Sequence, residues 1–240
     1  MTTNFLGKRI GWCLIILLLA ITALNAQTKP TAADHVRIGE TYRREGKNKE
    51  ALKEYTAAIL LDSKNLEAYY YRGLVSDELG DQDAAIKDYT TAIGLNPGYA
   101  QMYNNRGLLY ISRGDYDLAK TDLIYALKLD PKYVEAFTNL SLVSLRLKEP
   151  TLGVHAADEA LAIDPQFYEA LYNRAMNFGL LGKYPLAIKD LTAAISIRPT
   201  DPEPYAYRAF TYCQLGKKTL AARDETKALA LDGKLVEPCK

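Results

Sequence analysis

Residues 66–99 read LEAYYYRGLVSDELGDQDAAIKDYTTAIGLNPGY, and residues 100–133 read AQMYNNRGLLYISRGDYDLAKTDLIYALKLDPKY. The first stretch predicts two amphipathic helices, a helix A over about Leu66 to Leu79 and a helix B over about Asp83 to Gly94. Gly80 stops helix A, and Asp83 stands at the start of helix B. Asn96-Pro97 blocks continuation, because proline has no amide hydrogen and its ring clashes with the preceding turn. The second stretch repeats the arrangement 34 residues later, ending on Pro131.

The same period runs outward in both directions. From Ala32 to Leu235 the chain divides without insertion or deletion into six blocks: 32–65, 66–99, 100–133, 134–167, 168–201 and 202–235. Such self-similarity marks a repeat array rather than one or two ordinary domains. Its register shows in Ala58-Ile59, Ala92-Ile93, Ala126-Leu127, Ala160-Leu161, Ala194-Ile195 and Ala228-Leu229. Proline follows five residues after the alanine at Pro97, Pro131, Pro165 and Pro199. Small residues mark where helices A and B of a block cross: Gly39 and Ala51, Gly73 and Ala85, Gly107 and Ala119, Ser141 and Gly153, Ala175 and Ala187, Ala209 and Ala221. Larger side chains there would push the helix axes apart. Aromatics fill the remaining core places, with Tyr69, Tyr103, Phe137 and Tyr205 early in helix A, Tyr42, Tyr110, Phe178 and Tyr212 later, and Tyr55 and Tyr89 on helix B. The chain has 18 tyrosines against 5 phenylalanines. A tyrosine ring packs in a half-buried seam while its hydroxyl reaches a polar partner, so the surplus belongs to the scaffold.

The pattern resembles the tetratricopeptide repeat (TPR) family. The resemblance covers residues 32–235 and implies an all-α, right-handed superhelical solenoid of antiparallel helix pairs, with helix A lining a concave groove. It also implies protein binding rather than chemistry, although fold alone does not fix function.

Comparing the blocks with one another exposes a pairing. Arg72, Arg106, Arg174 and Arg208 precede the small residue of helix A, and Asp88, Asp122, Asp190 and Asp224 stand sixteen residues later on helix B. Block four carries Leu140 and Ala156 instead, and block one Ile38 and Glu54. The two positions mostly change together, which predicts structural Arg–Asp pairs between the helices.

Placed on this chain, the family's groove position after the small residue gives Glu40, Leu74, Leu108, Leu142, Met176 and Phe210. Four residues earlier come Tyr70, Asn104 and Tyr172, and three later Ile111 and Leu145. Tyr70, Leu74, Asn104, Leu108, Ile111, Leu142, Leu145, Tyr172, Met176 and Phe210 are therefore the candidate partner groove, a mostly apolar strip of the kind that marks a binding surface. Asn105, Asn139 and Asn173 form a ladder whose amides suit an extended peptide. Glu67, Glu135, Glu169 and Glu203 are read as complementing helix N-termini rather than as an acidic clamp. The dicarboxylate clamp of some co-chaperones needs lysine and asparagine in successive repeats, and no three blocks supply it.

No catalytic or metal-binding set stands out. His35 and His155 are the only histidines, 120 positions apart, and no cysteine pair has metal spacing. Neither a phosphate-cradling glycine loop nor a nucleophile turn is present, so no cofactor and no enzyme activity are expected. Lysine and arginine number 30 against 29 acids, a balance that gives no electrostatic case for nucleic acid.

Lys8-Arg9 followed by the apolar run Ile10–Leu24 and Ala26 reads as a secretory signal over 1–26, or a short N-terminal anchor, ahead of a linker over 27–31. This predicts an exported chain: periplasmic in a Gram-negative bacterium, otherwise secreted or anchored on the exported side. The membrane would be touched only through an uncleaved N-terminal segment. The only tryptophan, Trp12, lies in this stretch. Residues 236–240 form a tail. Cys213 and Cys239 are expected as one buried and one tail thiol, with pairing as the alternative. The predicted function is an exported scaffold or adaptor that binds another protein or peptide, with a self-associating homo-oligomeric module as the alternative.

Overall fold

The computed structural model describes residues 29–232. The expected signal, Cys239 and the tail over 236–240 lie outside them. The described residues form helices and connecting turns only, divided into two units at Asn65/Leu66.

The first unit contains α1 (Ala32–Arg44) and α2 (Asn48–Leu61). Thr31 caps α1 in a capping box with Asp34, each side chain bonding the other's backbone amide. Gly39 lets α2 approach closely: a Cβ there would sit 2.7 Å from the Tyr55 ring. Tyr55 is fully buried as a result. His35 Nδ1 and Glu54 Oε2 lie 2.6 Å apart across the pair.

The second unit contains five further pairs: α3 (Leu66–Glu78) with α4 (Gln82–Leu95), α5 (Ala100–Arg113) with α6 (Tyr116–Leu129), α7 (Val134–Arg146) with α8 (Pro150–Ile163), α9 (Tyr168–Leu180) with α10 (Tyr184–Ile197), and α11 (Pro202–Gln214) with α12 (Lys218–Asp232). Each B helix but the last also packs against the A helix of the next pair, which makes the unit a helical-repeat solenoid. The capping residue of α4 is Asp81, whose side chain accepts from the Ala84 amide, rather than Asp83, which falls inside the first turn.

Helix A closes on a left-handed residue, Gly80, Gly114, Gly182 or Gly216 in four of these pairs. Block four places Lys148 there at φ 58°, a conformation that crowds a Cβ against the next carbonyl. Alanines seal the crossing of the helices: Ala85, Ala92, Ala119, Ala126, Ala187, Ala194 and Ala221 are fully buried. Tyr89, Leu123 and Leu191 fill the space beside them.

Block four departs from the expected crossing. The space left by Gly153 is taken by Asn177 of the next pair and not by Ser141 of its own, and an added Cβ would fall within 2.6 Å of Asn177 Nδ2. Asn177 reaches in because Ser141 is small and offers both its carbonyl and its hydroxyl, each 3.2 Å from Asn177 Nδ2. The A helices consequently meet most extensively between α7 and α9.

Cys213, partly exposed on α11, is disulfide-bonded rather than a buried free thiol.

Candidate functional site

The arginines of helix A are held on two sides. Arg106 donates through Nε and Nη2 to the Asp122 carboxylate at 2.7 and 2.8 Å. The same bidentate fork joins Arg72 to Asp88, Arg174 to Asp190 and Arg208 to Asp224. A further guanidinium nitrogen reaches back sixteen residues to the preceding helix B, from Arg106 to Thr90 at 2.9 Å, Arg174 to Asp158 at 2.7 Å and Arg208 to Thr192 at 2.9 Å. One side chain thus ties three helices together. Burial opposes the charge on Arg174, and its bonds to Asp190 and Asp158 more than offset it, so the guanidinium holds its proton above the usual range. In block four the counterparts Ile124, Leu140 and Ala156 meet in one apolar cluster, so the polar trio is replaced as a set. These side chains are fully engaged with one another, which leaves them a structural task.

A concavity of about 820 Å³ in the second unit opens where α7, α9 and α11 begin. Its floor includes Asn104, Leu108, Thr138, Asn139, Leu142 and Asn173. Its walls carry Tyr133, Phe167, Tyr168 and Tyr172, with the last two rings stacked 6.3 Å apart. Among the described residues, Glu135, Glu169, Asp201, Glu203 and Asp232 stand around it with one cation, Arg198. Arg198 donates to Glu169 at 2.6 Å and lies over the Tyr168 ring, 4.0 Å from its centre. Tyr168 donates its hydroxyl to Asp201 at 2.6 Å. Burial, reinforced by these neighbouring carboxylates, holds the Tyr133, Tyr168 and Tyr172 phenols above their ordinary range. Helix N-termini, aromatic walls and carboxylates suit recognition. Among the described residues no group of three or more His, Cys, Asp or Glu side chains is placed to hold a metal ion.

Comparison with protein families finds a TPR repeat match over residues 39–76 and 78–112, and Tetratricopeptide repeat matches over 104–166 and 168–201. The chain belongs to the tetratricopeptide repeat family. Solved structures agree in fold. PilF of Pseudomonas aeruginosa superposes with a TM-score of 0.73 at 18% identity, over 86% of this chain and 94% of that one. PilW, a widely conserved type IV pilus biogenesis factor, gives 0.72 at 22% identity, over 83% and 92%. YrrB, a TPR protein with an unusual peptide-binding site, gives 0.65 at 20% identity, over 75% and 93%. No curated protein sequence matches.

Within this tetratricopeptide array the expected groove residues do not form one open strip. Leu108, Leu142 and Tyr172 line the cavity. Asn104 lines it too but is only 3% exposed, because it accepts a bond from Asn139 Nδ2 at 3.0 Å. Asn173 Nδ2 likewise donates to the Thr138 carbonyl at 3.2 Å. The asparagine ladder therefore joins neighbouring A helices instead of offering those amides to a peptide. Tyr70 and Leu74 pack against Tyr89 and Leu109, and Ile111 packs into the cluster around Leu123. Leu145 is half-buried on α7. Phe210 stays 38% exposed, stacked on Tyr207 at 5.8 Å. Tyr207 reaches across to the Met176 carbonyl at 3.4 Å, over Gly179, and so closes the strip beyond Met176. Tyr133, Phe167, Tyr168, Arg198 and Asp201 lie outside the helix A stripe and were missed. Tyr133 and Phe167 sit in the turns and repeat Tyr99 two residues after the proline of their blocks, a signal the sequence carried, whereas Tyr168 opens α9 and Arg198 and Asp201 have no such recurrence. Glu135, Glu169 and Glu203, read as helix-end residues, also edge the cavity.

Proposed function

We propose that this chain is an exported, non-enzymatic interaction scaffold that holds a peptide segment of a partner protein in the cavity at the start of α7, α9 and α11. The observation that carries the reading is the cavity itself: about 820 Å³, with exposed Leu108 and half-buried Leu142 and Tyr172 between aromatic walls. Concavities with an apolar base and a few convergent polar groups are where proteins take ligands. The peptide-binding site of YrrB, a relative in fold, supports a peptide as the occupant. Export rests on Lys8-Arg9 and the apolar run Ile10–Leu24, and would place the scaffold in the periplasm of a Gram-negative cell.

The test is capture of partners from the native envelope by wild type and by the Leu108→Lys, Leu142→Lys double variant. Loss of the captured proteins by a variant with unchanged helicity is expected, and equal capture would overturn the cavity as the site. Sedimentation over a range of concentrations separates the self-associating alternative. Intact mass of the exported chain should correspond to cleavage after Ala26, and a full-length product would rule out cleavage there.

A further inference from the structure

We propose that one edge of the second unit, made of the turns that join helix A to helix B in its last three pairs, docks on an anionic lipid surface. Arg146 ends α7 and Lys148 follows it, Lys183 joins α9 to α10, and Lys217 and Lys218 join α11 to α12. All five are exposed, and none is in an ion pair with a described residue. The only acid in these turns, Glu149, is held by Lys120 at 2.6 and 2.8 Å. Residues 233–240 contain two lysines and one glutamate, so their own charge adds to the positive sum. None of the five cations lines the cavity, so the edge is a second surface.

A simpler account is that the cations complement the negative ends of the A helices. Comparison of the blocks weighs against it. Each turn also holds the positive start of a B helix, which a lysine opposes: Lys183 is the capping residue of α10 and Lys218 the first residue of α12. The same turns in blocks two and three carry Asp81, Asp83, Asp115 and Asp117 around equivalent helix ends. The fold therefore asks for no lysine there. The turns also hold more apolar surface than they bury. Leu147 closes α7 by packing into the cluster around Leu123, as the residue ending a helix commonly does. Leu180, Leu186 and Leu220 instead stay 54%, 44% and 40% exposed. Beyond the chain neighbours, nothing lies within 4 Å of a Cβ added at Gly182 or Gly216, so the turn tips stand clear. Projecting tips form no groove for a peptide, but a flat surface can rest across them. Unpaired cations beside exposed leucines suit a membrane interface, where the cations meet the headgroups and the leucines the boundary of the acyl chains. Export, as proposed above, brings the chain to a membrane.

The experiment mixes the purified full chain with vesicles of phosphatidylcholine alone, or of phosphatidylcholine and phosphatidylglycerol in equal parts. Partitioning is read by flotation and the contact by hydrogen–deuterium exchange. Anionic vesicles should protect residues 146–152, 180–186 and 214–220, more at low than at physiological salt, and should leave 78–84 and 112–118 unprotected. The Lys148→Gln, Lys183→Gln, Lys217→Gln variant should lose that protection and partition about a hundredfold more weakly, at about fivefold for each cation. If an uncut N-terminal segment holds both chains on the vesicles, loss of turn protection in the variant still supports the edge. Equal protection with neutral vesicles, protection that the variant retains, or none with either vesicle overturns the assignment. Protection by polyglutamate and not by vesicles gives the edge to an acidic protein and overturns the lipid surface as well.

Discussion

Asn177 occupies the space left by Gly153: its amide sits where a Cβ of residue 153 would stand, and it bonds Ser141 and the Asn173 carbonyl from there. Helix propensity alone favours alanine over glycine by about 1 kcal/mol. Overpacking costs about 1–3 kcal/mol. Gly153→Ala is therefore expected to destabilise the chain by up to about 2 kcal/mol, read from the urea midpoint. In an Asn177→Ala background the same change should become neutral or stabilising.

The arginine trios make a sharper prediction. Asp122→Ala leaves the Arg106 guanidinium buried beside Thr90 without its carboxylate, and should cost about 3–5 kcal/mol. Changing the whole set to the residues of block four, as Thr90→Ile, Arg106→Leu and Asp122→Ala together, should recover most of that loss. Chemical unfolding of the single and triple variants decides it. A triple variant no more stable than Asp122→Ala would show that the apolar set of block four needs its own surroundings.

Lys148 holds the left-handed turn that glycine holds in the other blocks. Relief of about 1–2 kcal/mol of backbone strain is opposed by the greater freedom of glycine in the unfolded chain, about 0.4–1 kcal/mol. Lys148→Gly should raise stability by about 0.5–1 kcal/mol, seen as a higher thermal midpoint.

How much of this was readable in advance follows from where each residue sits in the period. The helix pairs, the sealing alanines and the Arg–Asp forks are set by contacts inside one block, which recur at fixed spacing and so show themselves by comparison of blocks. The back-contacts to Thr90, Asp158 and Thr192 obey the same spacing in the opposite direction and were equally available. The cavity was only partly legible. Leu108, Leu142 and Tyr172 lie on the helix A stripe, but the rest of the aromatic and acidic wall comes from the turns and the first helical residues at the block joints, where position depends on how successive pairs stack. The burial of Asn104 depends on the approach of α5 to α7, and the intrusion of Asn177 on that of α7 to α9, which a common pattern averages away.

Alkaline conditions test the buried tyrosines. Burial holds the Tyr89 phenol above its ordinary range, so the folded chain keeps it neutral while the unfolded chain ionises near pH 10. The stabilisation is fully present below about pH 10 and is lost as pH rises above it, by about 1.4 kcal/mol at pH 11 for each such site. Tyr89→Phe should flatten part of that decline in urea midpoints measured at pH 8 and pH 11.

The trios carry one last consequence. Ile124, Leu140 and Ala156 come from two successive blocks, and the polar sets around them span block boundaries in the same way. Exchanging block four with a neighbour would set an arginine against isoleucine at one junction and a leucine against threonine at the other. That arginine would keep the aspartate of its own block but leave one donor facing isoleucine, and a buried unpaired donor is costly. Six copies of one period are thus not interchangeable beads: the order of the blocks is written into the joints between them, and shuffling them would be punished even though every block kept its own helices.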